Sequence, residues 1–478
     1  MLTAFSGLSR SVRPVRVAAV VLTSGLVAAG VLSGAGTAAA DDGTGTQDGS
    51  GATATVNGLK TYGEAVFHEE GGAEQRLQAG LFEMSVDGGG TLQTYGVDLR
   101  APTQRDAHYQ ETAWSGTSLG TNRNAGKIGW ILRNSYPQVN DLATLARRAG
   151  VSGLTEQDAA AGTQVAIWRY SDGADVDAVG ARAEKLADYL EKNARGSAEP
   201  PASLRLDPPV LSGRPGDVLG PVTVHTNAGS VTVSPPVDAT DDGVRIIDRT
   251  GKVITSARDG GQLYFDIPED AAAEADGAGA GSARIAVQGS TTVPVGRAFV
   301  SESRSQTQIL AGSSESSVSA TAGATWTAAG TVPAVSARTD CARGGVDVTA
   351  VNTGDLPFTF TLLGAEHTVP AGASRTVPVP LAEDRPYDFA LTGPGGFDRR
   401  FTGVLDCATR DAVTTKSTRT LTGPATALPV VSPAPLDTDL AATGGSAITP
   451  MIAGLAIGLV VIGGTVLVVL RRREELGE

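Results

Sequence analysis

Two uncharged apolar runs, residues 17–32 and 451–470, bracket the chain and confine any water-soluble fold to what lies between them. The first follows Arg10, Arg13 and Arg16, with no acidic residue before Asp41, and ends near Ala38-Ala39-Ala40. A basic start, a short apolar stretch and small residues at a cleavage point define a secretory signal peptide, so residues 1–40 are expected to be removed after Ala40. A retained signal anchor is the alternative, and the small-residue site with the polar stretch after it disfavours that. The second run is long enough to cross a bilayer as a helix. Arg471, Arg472 and Arg473 follow at once, which marks the short tail, residues 471–478, as the cytoplasmic side.

The formal net charge of −13 makes the surface repel nucleic acid, and no basic groove interrupts it, so no nucleic-acid partner is expected. The two cysteines, Cys341 and Cys407, would sit in an oxidising compartment, where a lone pair reads as a disulfide. His68, His108, His225 and His367 are scattered without ligand spacing, so no His/Cys metal centre is expected. Gly-x-Ser-x-Gly, Walker and zinc-protease patterns are absent, and the glycine-rich stretch 277–281 lacks the Lys-Ser/Thr of a phosphate cradle. These points disfavour an enzyme and call for no cofactor.

The pattern divides the exported part into a flexible leader (41–52), an α+β domain (53–199), a β-sandwich (200–334), a small disulfide-closed, Ig-like β domain (335–410) and a Thr/Pro/Ala-rich linker (411–439). The fold class is thus multidomain: one α+β domain, two all-β domains and a C-terminal transmembrane helix. In the first domain, helices are expected at 126–134, at 141–149 and from Thr155 to about Tyr170, where Thr155-Glu156-Gln157-Asp158 reads as a capped start with acids in the first turn. A further amphipathic helix is read from Val176 to near Gly196, with Val176, Val179, Ala183, Leu186, Ala187 and Leu190 on one face. In the third domain Cys341 and Cys407 flank the first and last strands, and closing such a loop contributes about 2–4 kcal/mol.

Upstream of the second apolar run stands Leu440-Ala441-Ala442-Thr443-Gly444. The order of pentapeptide, apolar span and basic tail resembles the cell-wall sorting signal of Gram-positive surface proteins, in the Leu-Ala-x-Thr-Gly form read by class E sortases. The resemblance implies cleavage between Thr443 and Gly444, and linkage of Thr443 to peptidoglycan. The membrane helix would then hold only the precursor. A plain single-pass membrane protein is the alternative.

Within the first domain, Tyr95-Gly96-Val97-Asp98, Ala113-Trp114, the stretch from Trp130 to Pro137 and Thr163-Gln164-Val165-Ala166-Ile167-Trp168 follow one another. This succession resembles the bacterial thioester domains, also called TQxA domains, over about residues 55–195. In that family a cysteine in a Tyr-Cys-Ile/Val-Asp block bonds through sulfur to the carbonyl carbon of the motif glutamine. The acyl carbon is then a poised electrophile, because a thiolate leaves readily. The resemblance places the glutamine at Gln164 and the cysteine position at Gly96, which offers no nucleophile. The chain's two thiols are committed elsewhere, so the thioester is expected to be inactive here. Gln164 then reads as a hydrogen-bonded interior side chain, and Tyr95, Trp130 and Trp168 as core aromatics rather than a shield around a former site. Lys–Asn or Lys–Asp isopeptide bonds are not expected. The third domain has no lysine, and Lys252, the second domain's only one, reads as a turn residue.

The resemblances imply a wall-anchored, adhesin-like surface protein with a degenerate thioester domain at the tip of a two-sandwich stalk. Any binding would be non-covalent, to an unknown surface or host ligand. The alternative is a structural envelope spacer with no specific ligand.

Overall fold

The computed structural model describes residues 50–407 apart from 70, 235–242, 272–279, 302 and 304. The chain divides into two units, 1–413 and 414–478, and every described residue lies in the first. The expected signal peptide, linker, sorting motif and membrane span lie outside the described residues. Among the described residues no helix is long and apolar enough to cross a membrane.

The chain opens with a long hairpin, β1 (Thr53–His68) and β2 (Glu74–Val86), followed by β3 (Thr91–Gly96) and β4 (His108–Thr112). Then come α1 (Ala125–Asn134), α2 (Leu142–Ala149) and α3 (Glu156–Ser171). The short strand β5 (Val176–Ala178) and α4 (Ala181–Asn193) complete the first layer. The local signals act where the residues place them. Thr155 accepts from Asp158 N–H, while Asp158 accepts from Thr155 N–H, which closes a capping box on α3. The helix read from Val176 begins later than expected. Val176–Ala178 instead pairs with Ala65–Phe67 of β1, because these residues alternate buried and exposed and extend an existing sheet.

Helix α3 is buried from Ala159 through Trp168, and its small side chains let neighbours approach. At Gly162 an added Cβ would lie 2.4 Å from the carbonyl oxygen of Ala183 on α4. Arg169 near the end of α3 ties this layer together. Its guanidinium meets Asp177 at 3.0 Å, Glu184 at 2.6 Å, Asp188 at 3.0 Å and Glu191 at 3.2 Å, so one cation holds α3, β5 and α4.

The second domain supplies β6 (Leu204–Asp207), β7 (Val210–Gly213), β8 (Val218–Thr226), β9 (Val231–Ser234), β10 (Arg245–Ile247), β11 (Ser256–Ala257), β12 (Gln262–Asp266) and β13 (Ala280–Thr292). The chain then makes β14 (Ala298–Ser301) and β15 (Gln308–Ser313) before β16 (Glu315–Thr327). Strands β13 and β16 pair along their full length, from Ala280 opposite Thr327 to Thr292 opposite Glu315. They belong to a five-stranded sheet, β11-β9-β13-β16-β7, that accompanies a four-stranded sheet, β10-β12-β8-β6.

Strands β14 and β15 belong to neither of these sheets. They insert between β3 and β4 in a sheet ordered β2-β3-β15-β14-β4-β1-β5, and the β1–β2 pairing closes six of its strands into a ring. This corrects the expected boundaries of 53–199 and 200–334. The first domain takes two strands from beyond residue 200, and the sandwich is inserted into its chain. The cause is edge satisfaction: β3 and β4 would each carry an unpaired row of backbone groups, and the excursion from the β13–β16 ribbon fills both rows.

The third domain has sheets β17 (Pro333–Asp340), β18 (Gly345–Asn352), β21 (Ala373–Pro380) and β20 (Ala365–Val369), β19 (Phe358–Leu362), β22 (Pro386–Thr392), β23 (Asp398–Val404). The two sheets enclose Val346, Val348, Phe358, Phe360, Leu391 and Phe401. Cys341 and Cys407 are joined, just after β17 and just after β23. The expected series of tip and stalk is not what forms. Cys341 N–H donates to Ser115 O of the first domain at 3.1 Å, and Thr307 Oγ1 donates to Asp406, so the third domain touches the first directly.

Arg169→Met should lower stability by about 2 kcal/mol, because the abandoned carboxylates are partly solvated. The urea midpoint should fall with an unchanged slope, whereas an unchanged midpoint would show that the cluster is only decorative.

Candidate functional site

The end of β3 and the middle of α3 bring together the two positions that the motif pattern pairs. Gly96 N–H donates to Gln164 Oε1 at 3.1 Å, and Gln164 Nε2 donates to Gly96 O at 2.8 Å. The carboxamide of Gln164 therefore binds both backbone groups of Gly96. Gln164 is fully buried and Thr163 beside it donates to Ala159 O, so α3 holds the side chain from behind. Tyr95 is fully buried and donates from its hydroxyl to Tyr136 O at 2.8 Å. Burial raises its pKa, with only partial relief from the Thr163 hydroxyl. Trp168 is buried and Trp130 partly buried, both against the helical core.

The space beside Gly96 is filled from an unexpected direction. Gly96 lies opposite Gln308 of β15, and Gln306 just ahead of that strand reaches over it. A Cβ placed on Gly96 would lie 2.0 Å from Gln306 Oε1 and 2.6 Å from its Cδ. The backbone of Gly96 is not left-handed, so only the carboxamide end of Gln306 stands in the way of a side chain here, and it must shift to admit one. Gln306 Nε2 donates to Thr103 Oγ1 at 2.6 Å, while its buried Oε1 has no hydrogen-bond partner. An unmatched buried carbonyl costs about 1–3 kcal/mol. Gln308 lies beneath, accepting from Thr94 Oγ1 at 2.9 Å and donating to Thr103 Oγ1 at 3.2 Å.

Carboxyls gather beside this amide cluster. Asp98 is buried and accepts from Arg100 N–H at 3.0 Å and Ala101 N–H at 3.2 Å. Asp172 accepts from Leu99 N–H at 3.1 Å, and burial pushes its pKa up to about 7, with Asp98 adding to the rise and Arg100 opposing it. Asp406, brought in by the third domain, is likewise pushed up to about 7 by burial, with Asp98, Glu383 and Asp384 adding repulsion and Thr307 opposing it. Glu383, Asp384 and Asp406 bring carboxylate oxygens within 4.8 Å of one another, a spacing a divalent cation could use. Asp406 accepts from Thr307, which fastens the disulfide-closed end to the first domain, and Glu383 accepts from Cys407 N–H within the third domain.

Of the residues singled out from sequence, the fold brings Gly96 and Gln164 into contact and joins Cys341 to Cys407. Ala40, Leu440, Ala441, Ala442, Thr443 and Gly444 lie outside the described residues. Gln306, Thr103, Asp172 and Asp406 carry no sequence signal, because each reaches the site through long-range pairing.

Residues 93–196 match the thioester domain family, and residues 333–404 match the C-terminal domain of bacterial phospholipase C. A comparison with curated proteins returns no match. Among solved structures, the Bacillus anthracis TIE protein is 16% identical, with 72% of this chain and 63% of that protein covered and a TM-score of 0.24. The thioester domain of the Enterococcus faecium TIE86 protein is 13% identical, with 58% of this chain and 96% of that domain covered and a TM-score of 0.27. Superpositions this loose carry no functional weight. The chain is a multidomain, mostly β protein that contains a thioester domain.

Gly96→Cys alone should fail to form a thioester, since its Cβ meets Gln306; Gly96→Cys with Gln306→Ala should relieve the collision. Ammonia loss in the intact mass of the double variant only is the expected result. Loss in the single variant would show that Gln306 moves aside freely.

Asp172 and Asp406 also set a pH dependence. Their folded pKa values lie above the ordinary 3.8, so the folded chain holds protons that the unfolded chain has released. This contribution is complete below the unfolded value and is lost as pH rises through about 7. Thermal stability should therefore gain an increment between about pH 8 and pH 5.5, and the double variant Asp172→Asn, Asp406→Asn should abolish it.

Proposed function

We propose that this chain is an exported, adhesin-like surface protein whose thioester domain has given up the covalent step and engages its ligand without bond formation. The observation that carries the reading is the double hydrogen bond between Gln164 and the backbone of Gly96, with Gln306 filling the space a side chain at 96 would need. A thioester requires sulfur on residue 96 and an acyl carbon on residue 164. The second group is present and held in place, and the first is missing. The chain's cysteines are bonded to each other. The carboxamide is also poorly activated, because an amide nitrogen is a far worse leaving group than a thiolate.

At the cell surface the chain is proposed to be processed at both ends. Export removes residues 1–40, and a class E-type sortase cleaves between Thr443 and Gly444 within Leu440-Ala441-Ala442-Thr443-Gly444. Peptidoglycan is then joined through Thr443, and the membrane holds only the precursor. The partner beyond the wall is a surface or host ligand, with no nucleic acid and no cofactor involved. The competing reading is an envelope spacer without a specific ligand, which the filled space beside Gly96 also supports.

The protein released from the wall fraction should end at Thr443 with a peptidoglycan fragment amide-linked to it, and should otherwise have the mass of its sequence from residue 41 less only the disulfide hydrogens. It should take up no methylamine. Ammonia loss or a methylamine adduct at Gln164 would overturn the non-covalent reading. Absence of saturable binding to wall polymers, matrix proteins and neighbouring surface proteins would favour the spacer.

A further inference from the structure

The disulfide between Cys341 and Cys407 spans 66 residues of sequence, yet its two Cα atoms lie 5.0 Å apart. Cys341 comes directly after β17, and Cys407 is the last described residue. The rest of the third domain, from β18 to β23, lies inside the closed loop. Two covalent routes therefore lead from Cys407 back to β17. One runs through residues 342–406, and the other is a single sulfur–sulfur bond.

Without that bond, a pull on the chain beyond Cys407 would enter the third domain at β23 and leave it at β17. Both are edge strands with one neighbour in their sheets, β22 for β23 and β18 for β17. Strand β23 ends at Val404, opposite Pro386 at the start of β22. A pull at that end loads the pairing one residue at a time, so the strand peels. The core behind it is that of a small unit, which has little burial to resist with.

With the bond, the pull passes from Cys407 to Cys341 and along β17. A strand is already near full extension, so β17 has almost no length to give. Beyond it lies β16, an interior strand held between β13 and β7. The staple also touches the first domain on both sides. Cys341 N–H donates to Ser115 O at 3.1 Å, and Asp406 accepts from Thr307 Oγ1. Load is thus handed to the rest of the structure at the point where it enters.

We propose that the Cys341–Cys407 bond is a load bypass: tension arriving through the C-terminal chain crosses the third domain along the disulfide and β17, and residues 342–406 stay folded and unloaded. The third domain is then a module carried beside the load path rather than a link in it. That tension arrives from this side rests on the proposed anchorage through Thr443, whereas the bypass itself does not.

The test is optical-tweezer extension of the full-length chain in detergent, held by handles at its two ends. With the bond intact, stretching to the limit should release no length from residues 342–406. A dithiol reductant added to the folded, tethered chain should lengthen the full extension by about 220 Å, the span of the 66 residues at about 3.4 Å each less their present separation. This length should appear as a step at a lower force than the one that unfolds the first domain. Cys341→Ser with Cys407→Ser should behave like the reduced chain, and the reductant arm decides if that variant misfolds. A step of this size in the oxidised chain would overturn the proposal. So would a reduced third domain that outlasts the first domain under load, since the bypass would then protect nothing. The handles supply the tension, so failure here leaves the anchorage reading standing, and a wall-fraction protein that does not end at Thr443 leaves this result standing.

Discussion

Glu111 and Arg297 form the contact on which the domain arrangement rests. Both side chains are almost fully buried, at 1% and 6% exposed, and meet at 2.8 Å. Glu111 sits on β4 and also accepts from Ala52, where the chain enters the first sheet, and from Ser203, where it leaves for the inserted sandwich. Arg297 stands where the chain returns, just before β14, and reaches Glu199 and Pro200 O as well. One buried pair thus fastens the exit and the return of the insertion to the same strand. Removing either partner of such a pair typically costs about 3–5 kcal/mol, because the other charge is left buried and alone. A hydrophobic replacement of both could match the stability but would lose the four-way connection.

That fastening places β15 beside β3, and so places the segment from Ser305 to Gln308 against Gly96. The buried amides of Gln164, Gln306 and Gln308 then surround Gly96, with Thr94 and Thr103 supplying hydroxyls to the last two. Two of these amides are well matched. The third leaves its Oε1 unpaired against the α-carbon side of Gly96. In a buried polar network a single unmatched group marks the place where the local chemistry is unfinished. Here it coincides with the glycine whose backbone Gln164 binds.

The third domain belongs to the same structure rather than to an independent stalk. Asp406, one residue before the disulfide cysteine Cys407, reaches Thr307 and adds a carboxyl to the neighbourhood of Asp98. Ser212 and Arg214 of the sandwich contact Thr353 and Asp355 of the third domain at 3.0 and 3.1 Å. Bonds from two sides, with the covalent closure, hold the third domain against the other two.

Much of the local structure was legible in the sequence. The capping residues of α3, the stops of α1 and α2, the turn-bounded strands of both sandwiches and the cysteines flanking the third domain all act through neighbours a few residues away. The pairing of Gly96 with Gln164 was also legible, because the motif succession names both positions. Only the tertiary structure decided that β14 and β15 complete the first sheet, that Val176–Ala178 is a strand, and that Gln306 fills the space at Gly96. Strand partners are chosen by which edges remain open once the rest has folded, and an alternating polar segment such as Ser305-Gln306-Thr307-Gln308 carries no mark of its partner. The sequence by itself determined that residue 96 has no nucleophile. The fold decided that the end of Gln306 lies in the space beside it, since a space beside a glycine is defined by whatever the distant chain brings to it.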